Sequence, residues 1–234
     1  LAIHQKENPT AQEVLLKALQ EKNWYLRKEA VEAIQPDKFQ DKTLLSLALQ
    51  NTIQTDESSI VRQKAIQKLV SLEKGKSINS LKRVLDADSS ILCLGAALEN
   101  MNYYNKPAAY EYAKRLSATE APELMQAIAA VFKDTTIDNL DFFKKAIWLN
   151  TNRSFYYNFK SFGEYLKKSD DTILENGIRF LADIYKYEES DYNIQGAKQV
   201  VQNLEFYFAE KAKKSQAEDK KWKIIKSASG ALRN

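Results

Sequence analysis

The decapeptide YLRKEAVEAI at residues 25–34 is answered by IVRQKAIQKL at residues 60–69. Matching offsets carry an aliphatic residue, an Arg, an Ala and two further aliphatics. A chain that writes one helix face repeatedly is restricted to folds in which each copy meets the next, because a lone copy cannot bury its apolar stripe. The same step recurs as Ala30-Val31 with Ile34, Ala65-Ile66 with Leu69, Ala97-Leu98 with Met101, Ala127-Ile128 with Val131, and Gly177-Ile178 with Leu181. Spacings are 35, 32, 30 and 50 residues. Seven positions ahead of each small residue stand Asn23, Ser58, Ser90, Glu120 and Asp170. Asn, Ser and Asp accept hydrogen bonds from the free N–H groups of a first helical turn; in the fourth copy the adjacent Thr119 is the better cap.

An amphipathic segment precedes each copy. Residues 10–20 offer Val14, Leu15, Ala18 and Leu19, and residues 41–50 offer Leu44, Leu45, Ala48 and Leu49. Residues 77–85 offer Ile78, Leu81, Val84 and Leu85, and residues 108–116 offer Ala109, Tyr112, Ala113 and Leu116. These spacings put each set on one helix face. Thr10 with Glu13 fits a capping box. Only six Gly and four Pro occur, so turns are scarce, and Pro9, Pro36, Pro107 and Pro122 all sit where a missing N–H does least harm. The unit is helix, short turn, helix. The expected fold is all-α, an α-α superhelix or solenoid of about five to six helical pairs. One repeat domain is expected over 1–234, with repeats at 8–36, 40–73, 76–104, 107–133 and 136–187 and capping helices at 191–232. The small residue lets the second helix of a pair approach its neighbour closely; a Leu there overpacks.

At residues 26–31 and 61–66 the pattern hydrophobic–Arg–x–x–Ala–hydrophobic resembles the second helix of HEAT repeats (the fold class shared with armadillo repeats). The resemblance implies a ladder in which Arg27 and Arg62 pair with turn acids of neighbouring repeats, Asp56 and Asp88. Leu94 and Leu124 take the Arg place in the third and fourth copies, and Asn23 stands where a turn Asp is expected, so the ladder is expected to be incomplete.

Between the fourth and fifth copies aromatics crowd in: Phe142, Phe143, Trp148, Phe155, Tyr156, Tyr157, Phe159, Phe162 and Tyr165. Phe155, Phe159, Phe162 and Leu166 share a helix face. Two readings stand: a bulky core, or a docking patch with Trp148, Tyr156, Tyr157 and the later Trp222 as candidate interface residues. Residues 205–234 hold eight Lys/Arg against four acids, a difference of +4 that equals the net charge, so residues 1–204 balance. There Trp222, Ile225, Ala228 and Leu232 form a face ringed by Lys220, Lys221, Lys223 and Lys226. A solvated cap is the first reading and an anionic partner surface the second.

The motifs of common reaction centres are missing from the sequence. His4 is the single histidine and Cys93 the single cysteine. Neither a His-Glu-x-x-His helix nor a phosphate-cradling Gly loop can be written. Cys93 falls on an apolar face, which suits a buried thiol. Asp170-Asp171 and Glu188-Glu189 sit at helix edges, where capping explains them. No apolar run approaches the roughly 18 residues needed to span a bilayer, so no membrane role is expected. The chain is expected to be a non-catalytic scaffold without a cofactor, partnered by a neighbouring domain of the same polypeptide or by another protein. Beginning with Leu1, it reads as a piece of a longer chain. The segment NWYLRKEAVEAI and its surroundings are similar to the C-terminal helical region of bacterial zinc aminopeptidases of the aminopeptidase N family. That resemblance implies a role in shaping substrate access or domain packing, with zinc only in a catalytic domain absent here. The alternatives are a free-standing protein–protein adaptor and a HEAT-like DNA-binding domain, the latter disfavoured by the balanced charge of residues 1–204.

Overall fold

The computed structural model describes residues 9–149, 155–188 and 190–231. His4, residues 150–154, Glu189, Leu232 and Arg233 lie outside them, as do the side chains of Phe155 and Ala228. Every regular element among the described residues is helical, and the fold is an all-α solenoid of paired helices. The contacts gather into two compact units that meet in sequence at residues 115 and 116.

The first unit contains α1 (Pro9–Ala18), α2 (Trp24–Ala33), α3 (Lys42–Thr55), α4 (Ser59–Glu73), α5 (Ile78–Ala87), α6 (Ile91–Tyr104) and α7 (Lys106–Leu116). Helices α1 to α6 form three successive pairs. The second helices α2, α4 and α6 pack directly on one another, whereas the first helices α3 and α5 barely touch. What permits the close approach is the small residue. Ala30, Ala65 and Ala97 are all buried. Around them Val31, Ile34, Ile66, Leu69, Leu98 and Met101 close the core.

Some local expectations shift. Thr10 lies inside the first turn of α1 instead of capping it, and Glu13 pairs with Lys17 at 2.9 Å. The stripes are narrower than their hydrophobicity suggests: Leu15, Leu19, Leu45 and Leu49 are buried, but Val14 and Leu44 face outward. In α3 the inward face runs on through Thr52 and Ile53, because a helix with one neighbour on one side buries i, i+4, i+7 and i+8.

The second unit contains α8 (Pro122–Phe132), α9 (Leu140–Trp148), α10 (Phe155–Lys168), α11 (Asp171–Tyr187), α12 (Asp191–Ala212) and α13 (Gln216–Ala231). The stretch 136–187 therefore holds three helices, not a pair. Helix α10 sits among α8, α9, α11 and α12, and its aromatic face explains the longer period. Phe143 stacks on Tyr165 at 4.8 Å and on Phe162 at 5.3 Å between centroids. Such ring pairs contribute about 0.5–1.5 kcal/mol each beyond the area they bury. The fully enclosed Tyr165 hydroxyl donates to Ile137 O at 3.1 Å and accepts from Asn139 N–H at 2.9 Å, tying α10 to the turn before α9.

Ala127 and Gly177 occupy the small-residue places and are buried. Gly177 has a specific cause: a Cβ there would lie 2.5 Å from Leu166 Cδ2. Leu166 is itself fully enclosed, so it has no free direction in which to swing. We expect Gly177→Ala to lower stability by about 1–2 kcal/mol, the overpacking cost exceeding the gain of up to about 1 kcal/mol in helix propensity. Urea melts of the two proteins measure the difference, and a more stable variant would contradict the packing argument.

Candidate functional site

The turns of the first unit show how the pairs are joined. Arg27 Nε and Nη2 donate to the two carboxylate oxygens of Asp56 at 2.6 and 2.9 Å. Its Nη1 donates to the carbonyls of Glu21 and Lys22, in its own turn, at 2.8 and 2.9 Å. One period later Arg62 repeats the geometry: 2.9 and 2.9 Å to Asp88, and 2.8 and 3.2 Å to the carbonyls of Asp56 and Glu57. Each guanidinium thus spans two successive turns. The acids are shared in turn, since Asp56 Oδ1 accepts Ser58 N–H and Asp88 Oδ1 accepts Ser90 N–H, both at 2.8 Å. This is the fork-to-fork geometry that distinguishes Arg from Lys.

The alignment of the turns corrects two residue roles. The place equivalent to Asp56 and Asp88 in the first pair belongs to Glu21, while Asn23 is the N-cap of α2 and its side chain accepts Tyr25 N–H at 2.9 Å. In the fourth copy Ala121 is the N-cap of α8, and Thr119 instead accepts the Ala121 N–H at 3.2 Å, as the two Asp residues do for Ser58 and Ser90. Asp170 caps α11 through Ile173 N–H at 2.8 Å.

Burial pushes the Asp88 carboxyl up, but hydrogen bonds from Arg62 and from Ser90 N–H outweigh it and hold the group below its ordinary value. Burial likewise raises the neighbouring Cys93 thiol, to about 11, and Cys93 is fully enclosed with Sγ 3.5 Å from Ser59 O. A protonated, enclosed thiol is no nucleophile.

Because α3 and α5 diverge, a groove of about 640 Å³ opens between them, lined by Gln50, Gln54, Ser80 and Arg83 over Ile53 and Val84. A second groove, between α10 and α12, holds about 140 Å³. That is below the roughly 300 Å³ at which small-molecule sites begin. Among the described residues no group of three His, Cys, Asp or Glu side chains is placed to hold a metal ion, and no helix is long and apolar enough to cross a membrane.

The most distinctive surface lies on the second helices. Tyr25, Ile60 and Leu92 each stand two residues after an N-cap, at the same helical angle, opposite the buried column. Tyr25 is 51% exposed, Ile60 36% exposed and Leu92 half-buried. Beside this apolar column Glu32 accepts from Lys28 and Lys64, both at 2.9 Å, linking α2 to α4. Further along α6, a Cβ added at Gly95 would meet nothing within 4 Å beyond its chain neighbours and its own helix backbone, and Tyr103 is 79% exposed. Sequence reasoning passed over this column, although its signal was present: the residue just ahead of Leu26-Arg27, Val61-Arg62 and Cys93-Leu94 is apolar each time.

Of the aromatic interface candidates, Trp148, Tyr156 and Tyr157 are exposed, and Trp222 is half-buried with its Nε1 enclosed. Phe142, Phe143, Phe159, Phe162 and Tyr165 are core. The C-terminal lysines are largely engaged within the unit: Lys220 with Asp171 at 2.6 Å, Lys223 with Asp219 at 2.6 Å, and Lys221 donating to Ser169 O at 2.8 Å.

We expect Arg62→Ala to cost about 2–3 kcal/mol, since it strands a mostly buried carboxylate. The stabilisation from Asp88 is complete above the ordinary carboxylate value near about 4 and is lost as pH falls through its lower folded value. Asp88→Asn should therefore flatten the acid limb of stability against pH below about 4, measured by urea melts across that range. An unchanged limb would count against the ladder's energetic role.

No curated protein matches the chain. Among solved structures, an engineered protein aligns over 94% of this chain and 99% of its own, at 13% identity and a TM-score of 0.45. The family model described as HEAT repeats matches residues 13–102, the stretch that carries all three joined pairs and both arginine bridges. The chain is thus a HEAT-like helical repeat domain over its first pairs.

Proposed function

We propose that the chain is a non-catalytic scaffold that docks another protein, or a neighbouring domain, on the second-helix face of its first unit. The observation that carries this is the repeated apolar column of the exposed Tyr25 and Ile60 and the half-buried Leu92. Tyr25 meets Trp24 and Lys28 of its own helix, contacts that do not require apolar residues at 60 and 92, and exposed apolar surface marks interaction sites. Gly95 adds to it. A mid-helix Gly costs about 1 kcal/mol against Ala, nothing inside requires it, and its bare backbone admits a close approach from outside.

A DNA-binding role draws little support, because phosphate contacts need available Lys and Arg and the lysines of α13 are mostly paired. Parentage in a zinc aminopeptidase rests on the repeat resemblance alone, and the comparisons lend it no support. The docking proposal is independent of it.

A photo-crosslinking side chain at Ile60 is expected to trap a protein in the native host, whereas the same group at the exposed Leu47 on α3 should not. The triple change Tyr25→Ser, Ile60→Ser, Leu92→Ser should abolish trapping at a fourth position, Gln67, and cost little stability at Tyr25 and Ile60. Equal adducts from positions 60 and 47 would refute the reading.

A further inference from the structure

The ladder has an unanswered member. Asp56 is met by Arg27 and Asp88 by Arg62, each arginine arriving from the preceding pair. Glu21 holds the same place in the first turn, yet its carboxylate has no partner among the described residues. One helical position says the same in apolar terms. Leu26 is the equivalent of Val61 and Cys93, three residues past the N-cap; those two are 0% exposed, each against the second helix of the preceding pair, whereas Leu26 is 49% exposed.

We infer that the outer face of the α1–α2 pair is a stacking surface for one further helical pair of the same kind, whose second helix covers Leu26 and whose arginine bridges to Glu21. This continues an interface that the chain already forms twice. Charge settles the class of occupant: the empty place in the ladder is an acid, so the incoming pair must bring a guanidinium. A second copy of this chain cannot supply it through the ladder. Arg27 and Arg62 are both committed, and the third place is Leu94. Two such faces brought together would set Glu21 against Glu21.

The test adds a pair. A copy of residues 41–73 is joined ahead of Leu1, so that eight residues stand between it and α1, as many as the eight residues 34–41 between α2 and α3. A second version carries a Gly-Ser spacer. The expected result is one cooperative melt displaced upward by about 5 °C. Glu21→Ala should lower the Tm of the extended chain by about 3 °C and that of the original by no more than about 1 °C. That difference should vanish when the copied arginine is changed to Ala. An added pair that stays unfolded or melts separately in both versions overturns the inference. So does stabilisation that is indifferent to Glu21.

Discussion

The close approach of the second helices is the constraint on which the first unit depends. Ala30, Ala65 and Ala97 lie where α2, α4 and α6 meet, and any larger side chain would push the helices apart. With the second helices drawn together, the first helices of successive pairs splay, and the groove between α3 and α5 is the space they leave. The turns are brought within reach of one another on the same account, which is what allows a single guanidinium to bind two of them. Tyr25, Ile60 and Leu92 line up across helices because α2, α4 and α6 pack directly on one another. Packing and bridge are two results of one small residue.

The second unit satisfies the same requirement by other means. Its small places are Ala127 and Gly177, and its longer period is filled with rings. No guanidinium at a ladder place joins its turns. Stacked aromatics and the Tyr165 hydroxyl do the corresponding work of fixing α10 against its neighbours. Ion pairs recur here too, Lys168 with Asp134 at 2.5 Å and Lys220 with Asp171 at 2.6 Å, so salt and acid act on both units.

Much of this was legible in the sequence, and the reasons are local. The Ala column and the capping residues Asn23 and Asp170 follow from periodicity of 3.6 and from side-chain capping chemistry, whereas the partners in both arginine bridges were implied by the resemblance to HEAT repeats. What was not legible depended on neighbours. Val14 and Leu44 are as apolar as Leu15 and Leu45, and only the side on which another helix stands decides which pair is buried. The role of Glu21 was hidden because Asn23 presents the stronger local signal, a capping side chain; the turn acid became recognisable only when the three turns could be superposed. Capping at Thr119 failed for a similar reason, since Pro122 fixes the start of α8 two residues later than the hydroxyl suggests.

The enclosure of Cys93 has a practical consequence. It is the only thiol in the protein, it rests against the first turn of α4 beside the Arg62–Asp88 bridge, and it is shut away from solvent. Any reagent that captures thiolates can reach it only when the second and third pairs part. The rate at which the native chain is alkylated is accordingly a clock for that separation, read at one atom, in a molecule that needs no added label.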